Sequence, residues 1–286
     1  MATTPTPHPT DPSKSRNEAG HGQDTDMAYP EDRSGLPQTL KGNVLSLSTT
    51  LLQQVKLKNP YSETLRHIES LSLAELTECL TTDPARKTFW INLYNALYQI
   101  RRRDQKAPRK TIFTTTAITF GNTPQSTPRL RGTDSHQPDQ RPLELSLDQI
   151  EHTLLRGHRH KYALGYLPAF KPADRLKPLI VQKPDYRIHF ALNCGARSCP
   201  PILACDLPHI EAQLDLASES FIAQDTDINP RQKKVRVSRI YLWFLADFGG
   251  FRGIRRILSQ TLQQPLDGYR IRFKPFDWTE ELNKLI

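Results

Sequence analysis

The sequence predicts an α+β protein built around one apolar central helix. Strand-like and helix-like segments mix irregularly, without the regular strand–helix–strand alternation that predicts a parallel sheet. The segment 83–103 is apolar on nearly all sides, which is typical of a helix at the centre of a core. The 286 residues are enough for one sizeable core, and no window has the roughly 18 uninterrupted apolar residues of a membrane-spanning helix.

Composition divides the chain into a tail and a domain. Residues 1–38 are rich in Pro, Thr, Ser, Asp and Gly and have too little apolar surface to offset the entropy of ordering, which predicts a disordered tail. Residues 39–286 are predicted to form a single globular domain. The tail has three basic and six acidic residues, a net charge of −3. Since the whole chain has a net charge of +9, the domain carries +12.

The basic residues of the domain are scattered, without zinc-finger spacing or an aromatic-rich RNA-binding motif beside them. We therefore interpret the charge as a solvated basic surface and do not expect nucleic-acid binding. The first residues lack the apolar stretch of a secretory signal peptide. Three of the four cysteines lie within twelve residues, unlike a disulfide scaffold. These features predict a reducing, cytoplasmic setting.

The N-terminal half of the domain has predicted helices and one strand. Short helices are expected at residues 43–56 and 73–82. Asp83 is predicted to cap the central helix, with Pro84 at the first helical position, where a missing N–H costs nothing. A short strand is expected at 112–119, within a polar, proline-rich stretch.

The C-terminal half is predicted from caps, alternation and glycines. Ser146 and Gln149 form a capping box at the start of a helix. Apolar residues alternate with more polar ones over 187–192, which predicts a half-buried strand. Gly249-Gly250 is expected to end an apolar, aromatic stretch. The remaining expected elements are helices at 208–224 and 251–262 and strands at 235–238 and 269–273.

The segment 189–200 has the residues best suited to chemistry. Cys194 directly follows the predicted strand and precedes a glycine, where a sharp turn would expose its sulfur. A thiol becomes nucleophilic when a nearby imidazolium, cation or backbone N–H lowers its pKa. His189 projects from the strand, and Arg197 is close enough in sequence to add positive charge. We expect Cys194 to be the nucleophile, with Cys199 as the second choice.

The helix after the capping box has the most conspicuous acid of the sequence. Glu151 falls within the apolar face of this helix, and a buried carboxylate is unfavourable unless it is paired or hydrogen-bonded. His152 lies at the edge of the same face, and Arg156 lies one turn further on. We expect His189 to be the general base, with His152 as the alternative. Glu151 is expected to orient the base or to bind Arg156.

Asn92, Asn95 and Gln99 place three amides on one stripe of the central helix. Buried amides must find hydrogen-bond partners, so one interpretation is that they bind neighbouring backbone. The other is that Asn92 or Asn95 helps to bind an oxyanion. Arg156 and Arg197 are the candidate substrate-binding residues.

Two other interpretations of the cysteines remain open. Cys194, Cys199 and Cys205, with two histidines nearby, are enough ligands for zinc, but their spacing differs from zinc ribbons and fingers. The cysteines are also consistent with small buried hydrophobic residues in a non-catalytic interaction module with a basic surface. We assign no metal and no cofactor to the site.

Long motifs in the sequence resemble one family. They are residues 89–97, 146–157, 185–201 and 243–249, with 276–278 as a shorter addition. In this order, over roughly residues 60–280, the chain resembles the domain-of-unknown-function family numbered five-four-seven. The resemblance implies no established activity.

The resemblance also implies a relation to papain-like and transglutaminase-like cysteine hydrolases. The central helix would then pack on an antiparallel sheet, with a cysteine–histidine pair at its edge. In papain-like enzymes the nucleophile opens the central helix, whereas this chain has Thr88 and Phe89 there. The thiol would have to come from the segment after residue 192. The motif positions carried over are Asn92, Asn95, Glu151, His152, Arg156, His189, Cys194 and Cys199.

Together these features predict a thiol-dependent hydrolase or acyl transferase of cysteine-peptidase type. Its substrate, any protein partner and its oligomeric state are not specified by the sequence. The alternatives are the interaction module and the Cys/His metal-binding protein described above.

Overall fold

Helices and two small sheets make up the fold, and the structure, a computed structural model, describes residues 38–121, 141–162, 164–167 and 174–282. This mixture confirms the predicted α+β class. Of the predicted tail, residues 1–37 lie outside the described residues. The α-helices of the described part are α1 (Gln38–Leu57), α2 (Ser62–Ser70), α3 (Leu73–Cys79), α4 (Asp83–Gln99), α5 (Ile210–Asp225), α6 (Ile240–Trp243) and α7 (Gly250–Thr261).

The sheets are small and differ from the expected antiparallel sheet. Strand β1 (Thr116–Phe120) pairs antiparallel with β2 (Leu143–Ser146), and β3 (Asp227–Asn229) pairs antiparallel with β4 (Lys234–Val237). Strand β5 (Arg270–Phe273) pairs parallel with β4. The three-stranded sheet is therefore mixed, because the chain returns to β4 through helix α7 and not through a hairpin.

The central helix α4 is confirmed, and nearly all of its side chains are buried. Its cap differs from the prediction by one residue. Thr82 is the N-cap, since its Oγ1 accepts the N–H of Ala85 at 3.3 Å, and the helix begins at Asp83. The Asp83 carboxylate instead accepts the N–H groups of Gln182 and Lys183, at 2.9 and 2.8 Å.

Short helical turns connect the main elements. The capping box is confirmed: Gln149 Oε1 accepts the N–H of Ser146 at 2.9 Å, and Ser146 Oγ accepts the N–H of Gln149 at 3.2 Å. The helix that follows is π-helical. The turns are the π-helical segments Ile100–Asp104 and Gln149–Leu155 and the 3-10 segments Asp174–Leu179, Tyr186–Phe190 and Leu207–His209.

The strand predicted over 187–192 is wrong, because residues Tyr186–Phe190 form a 3-10 turn. Asp185 caps this turn, since its Oδ1 accepts the N–H of Arg187 at 3.0 Å. Lys87 and Arg187 hold the Asp185 carboxylate in place by ion pairs at 2.9 and 2.6 Å. The side chain of an aspartate thus satisfies a backbone donor that a strand would have given to a sheet.

The buried apolar side chains form two clusters. The larger surrounds α1 and α4, and the smaller surrounds the three-stranded sheet and α7. Ile188 belongs to the larger cluster and Phe190 to the smaller one. The 3-10 turn therefore places His189 where the two clusters meet. Within the described ranges, each helix is too short or too polar to cross a membrane.

Candidate active site

A cavity of about 450 Å³ brings several predicted site residues together. This volume is in the range of small-molecule binding sites. Glu151, His152, His189, Cys194 and Cys199 all line it. The other lining residues are mostly aromatic or apolar, with one acid and one base among them: Tyr94, Phe113, Asp148, Lys161, Tyr162, Leu164, Leu192, Pro200, Ile240, Trp243, Phe244, Phe276 and Trp278.

The two cysteines of the cavity are joined by a disulfide, Cys194–Cys199. The sequence was expected to supply free thiols at these positions in a reducing setting, and this expectation is corrected for the structure as it stands. Cys194 is half-buried, whereas Cys199 is 1% exposed. Cys205, the third cysteine of the cluster, lies outside this bond, and burial raises the pKa of its thiol to about 12. The cytoplasmic setting stays a prediction.

The C-terminal segment of the chain holds the cysteine loop in position. Ala196 forms a β-bridge with Glu280, and the N–H of Arg197 donates to Thr279 O at 2.8 Å. The N–H of Glu281 donates to Gly195 O at 2.9 Å. Backbone hydrogen bonds of this kind fix the loop more firmly than an isolated turn would.

Gly195 is required at the turn of this loop. Its φ is +68°, and a Cβ placed there would lie 2.6 Å from Tyr98 Cε1 and 3.0 Å from Leu282 Cδ2. Gly268 has a similar φ of +74°, but its Cβ would meet nothing within 4 Å. We expect Gly268→Ala to lower the free energy of unfolding by about 1 kcal/mol from backbone strain. Gly195→Ala should lower it by about 1–3 kcal/mol more, from the added overlap.

Urea unfolding of the two glycine variants measures this difference, with Gly268→Ala as the matched control. Equal losses of stability in the two variants would mean that the loop yields to the extra methyl group and is not held rigidly.

His189 is fixed on two sides. Its Nε2 lies 2.9 Å from Oδ2 of Asp247, and its ring stacks on Phe244 with centroids 3.9 Å apart. This contact leaves Nδ1 as the ring nitrogen that Asp247 does not engage. Burial lowers the pKa of His189, although the Asp247 carboxylate acts in the opposite direction. The imidazole is therefore neutral at pH 7 and can accept a proton.

Asp247 is the acid that orients His189, and Arg156 in turn holds Asp247. Arg156 Nε donates to Asp247 Oδ2 at 2.6 Å, and Nη2 donates to Oδ1 at 3.3 Å. Burial alone raises the pKa of Asp247, but the hydrogen bonds from His189 and Arg156 outweigh it and bring the pKa to about 2. The Arg156 guanidinium also lies over the Phe244 ring, 4.6 Å from its centroid.

The predicted partners of Glu151 are therefore corrected. Its Oε2 accepts a hydrogen bond from Tyr94 Oη at 3.2 Å, whereas Asp247 binds both His189 and Arg156. Burial raises the pKa of Glu151, and the positive charge of the Arg156 guanidinium acts in the opposite direction. Glu151 lines the cavity and does not orient the imidazole through a hydrogen bond.

His152 is held neutral beside Arg156. Its Nδ1 faces Arg156 Nη1 at 3.0 Å, and burial together with this guanidinium lowers the pKa of His152 to about 3. His152 therefore stays neutral in the folded state at pH values where the unfolded chain binds a proton at this residue. Protonation of the unfolded chain lowers the free energy of unfolding, so stability is complete above pH 6.5 and is lost progressively as the pH falls toward 3.

We expect His152→Gln to flatten the acid side of the stability profile. Between pH 7 and 4.5 the wild type should lose about 2–3 kcal/mol more than this variant. Guanidinium unfolding at both pH values measures the loss, and the same pair at pH 8, where His152 is neutral in both states, is the control. Parallel profiles for the two proteins would show that His152 titrates normally.

Asn92 and Asn95 do not line the cavity, and the oxyanion role is corrected to a structural one. Asn92 Nδ2 donates to Cys205 O at 2.8 Å, and its Oδ1 accepts the N–H of Cys205 at 2.8 Å. Asn95 Nδ2 donates to Ala191 O, and its Oδ1 accepts the N–H of Asn193. Both amides fasten loops to α4, as the backbone-binding interpretation expected.

The two predicted substrate-binding arginines do not line the cavity either. Arg156 is 1% exposed and is committed to Asp247. Arg197 is exposed, and its Nη1 lies 3.6 Å from Oδ2 of Asp277. Among the described residues, no group of three or more His, Cys, Asp or Glu side chains is arranged to hold a metal ion.

Asp247 is the main functional candidate that sequence reasoning missed. It is a lone acid within the aromatic run 243–249, and the same signal had identified Glu151. Lys161 and Asp148, which form an ion pair in the cavity wall, were also not singled out. Asp148 directly precedes the 149–155 segment and Lys161 lies six residues beyond its end, so no periodic pattern connects them.

Comparison with known proteins places the chain in a family. Residues 78–222, half of the chain, match the family described as "Protein of unknown function, DUF547". The matched range contains the motifs at 89–97, 146–157 and 185–201, and the motif at 243–249 lies beyond its end. No curated protein and no solved structure matches the chain. On the family match, the chain belongs to the DUF547 family of proteins of unknown function.

Proposed function

We propose that this protein is a thiol-dependent hydrolase or acyl transferase, active when the Cys194–Cys199 bond is reduced. The observation that carries the proposal is that His189, which is fixed by Asp247, lines the same cavity as both cysteines. A nucleophile, a base and an acid that orients the base form the triad of covalent acyl transfer, whatever their order along the chain.

Cys194 is the nucleophile and Cys199 is its partner in the disulfide. Cys194 is half-buried and accessible from the cavity, whereas Cys199 is buried. The N–H of Cys194 lies 3.2 Å from Cys199 Sγ and can stabilise a thiolate there. An external thiolate therefore attacks the Cys194 sulfur and releases Cys199, and a second thiol then frees Cys194.

The proposed reaction begins once the Cys194–Cys199 disulfide is reduced. His189 Nδ1 takes the proton of the Cys194 thiol, and the sulfur forms a bond to the carbonyl carbon of the substrate. The bond to the leaving group breaks, and the imidazolium returns the proton to that group. Water or another acceptor, deprotonated by His189, then attacks the thioester carbonyl. The bond between this carbon and the Cys194 sulfur breaks, the acyl group leaves on the acceptor, and the imidazolium returns its proton to the sulfur. Asp247 stabilises the imidazolium formed in both steps.

The relation to papain-like and transglutaminase-like hydrolases is part of this proposal. What supports it is the histidine–acid pair beside a cysteine, together with a buried central helix. Helix α4 contains no cysteine, and its residues Thr88 and Phe89 are both fully buried, so the thiol comes from the 194–199 loop instead. The active site is thus rearranged relative to the papain-like pattern.

Hydrolysis of p-nitrophenyl acetate tests the proposal. A phosphine reductant, which is oxidised to the phosphine oxide, converts the disulfide to two thiols without itself supplying a competing thiol. We expect reduced protein to release p-nitrophenol with turnover and the oxidised protein to show only the background rate. Cys205→Ala is the matched control and should retain the activity. Equal rates for the oxidised and reduced proteins would overturn the proposal.

A further inference from the structure

We propose that the substrate of this site is an acyl donor with an apolar acyl chain, bound against three aromatic side chains of the cavity. This inference rests on the proposed function and names its substrate class. We call Trp243, Phe276 and Trp278 the aromatic wall. Their ring centroids are 4.9, 4.5 and 5.6 Å apart, so each ring contacts the other two.

The aromatic wall is held in place by contacts with the rest of the fold but is exposed to solvent. Arg109 Nη1 donates to Trp278 O at 2.5 Å, and its guanidinium lies 5.7 Å from the centroid of the Trp278 ring. Even so, Trp278 is 52% exposed, and Tyr162, which also lines the cavity, is 78% exposed. Large apolar groups that are fixed, contiguous and solvated are typical of a binding surface.

Hydrogen bonds between Asp277 and Ser198 hold the aromatic wall beside the loop that contains the proposed nucleophile. The N–H of Asp277 donates to Ser198 Oγ at 2.9 Å, and the N–H of Ser198 donates to Asp277 O at 3.3 Å. Phe276 and Trp278 flank Asp277, and Ser198 precedes Cys199. An acyl chain that covers the wall therefore has its carbonyl carbon within the same cavity as the Cys194 sulfur.

The polar groups of the cavity do not favour a charged acyl chain. Lys161 and Asp148 neutralise each other in an ion pair. His189 is committed to Asp247 through Nε2, and Glu151 accepts a hydrogen bond from Tyr94. The exposed aromatic surface remains, and a ligand gains binding free energy by burying apolar surface against it.

A series of p-nitrophenyl esters from acetate to octanoate tests the inference on the reduced full-length chain. We expect kcat/KM to rise about threefold to fourfold for each added methylene group. Trp278→Ala should lower the ratio of octanoate to acetate kcat/KM by at least about tenfold. Phe251→Ala, which removes a 44% exposed aromatic ring outside the cavity lining, is the matched control and should preserve the ratio.

A binding measurement separates this inference from the proposed function. Two of the three tryptophans, Trp243 and Trp278, are in the wall, so octanamide binding to Cys194→Ala protein should change the intrinsic fluorescence, and acetamide should not. Octanamide binding without ester turnover would leave the apolar preference standing while the hydrolase proposal fails. Acetate turnover with a flat ester series, or no fluorescence change with octanamide, overturns the inference.

Discussion

Replacing Asp247 with alanine is expected to lower the free energy of unfolding by about 3–5 kcal/mol, because it leaves a buried arginine without its partner. The Arg156 side chain is 0% exposed and that of Asp247 is 4% exposed. His189 loses its hydrogen bond in the same variant, so the base loses its orientation as well. Guanidinium unfolding at pH 7 measures the loss.

The control for this variant is an ion pair at the surface. Asp174 is 85% exposed and lies 2.6 Å from Lys177, so Asp174→Ala should change stability by less than about 0.5 kcal/mol. Asp247→Asn keeps an acceptor for His189 and should fall between the two. A loss below about 1 kcal/mol in Asp247→Ala would show that Arg156 is solvated or finds another partner.

Loss of either Cys194 or His189 is expected to abolish most of the acyl-transfer activity. Cys194→Ala removes the nucleophile, and reduced protein should then show only the background rate of ester hydrolysis. His189→Gln removes the base but keeps a polar side chain, and kcat/KM should fall by about 10²–10⁴. Initial rates of p-nitrophenyl acetate hydrolysis after reduction measure both effects.

Cys199→Ala distinguishes the two roles within the cysteine pair. Because Cys199 only forms the disulfide in this proposal, Cys199→Ala should be active without reductant. Its activity should disappear again in the double variant with Cys194→Ala. Full activity in Cys194→Ala combined with inactivity in Cys199→Ala would exchange the two assignments.

Local patterns predicted the parts of the fold that depend on near neighbours. The burial of α4 followed from its apolar composition, and the Ser146–Gln149 capping box followed from residue types three positions apart. The 186–190 turn was missed because alternation outweighed the cap that Asp185 supplies. That cap depends on Lys87, which is 98 residues away, and no local pattern contains it.

Some residues of the cavity were predicted because they, too, depend on local patterns. His189 and Cys194 were identified because both lie in one short segment, and Glu151 because it is an acid on an apolar face. The partner of His189 is 58 residues further along the chain, so sequence spacing could not connect Asp247 with it. Arg156 was assigned to substrate because its buried partner was unknown.

Intact-protein mass spectrometry of the reduced chain mixed with p-nitrophenyl acetate tests most directly whether Cys194 is an activated nucleophile. We predict one acetyl group per chain, mapped by digestion to Cys194, forming within the first turnover and slowed strongly by His189→Gln. An acetyl group found on Cys205 or on a lysine, with Cys194 unmodified, would contradict the central claim.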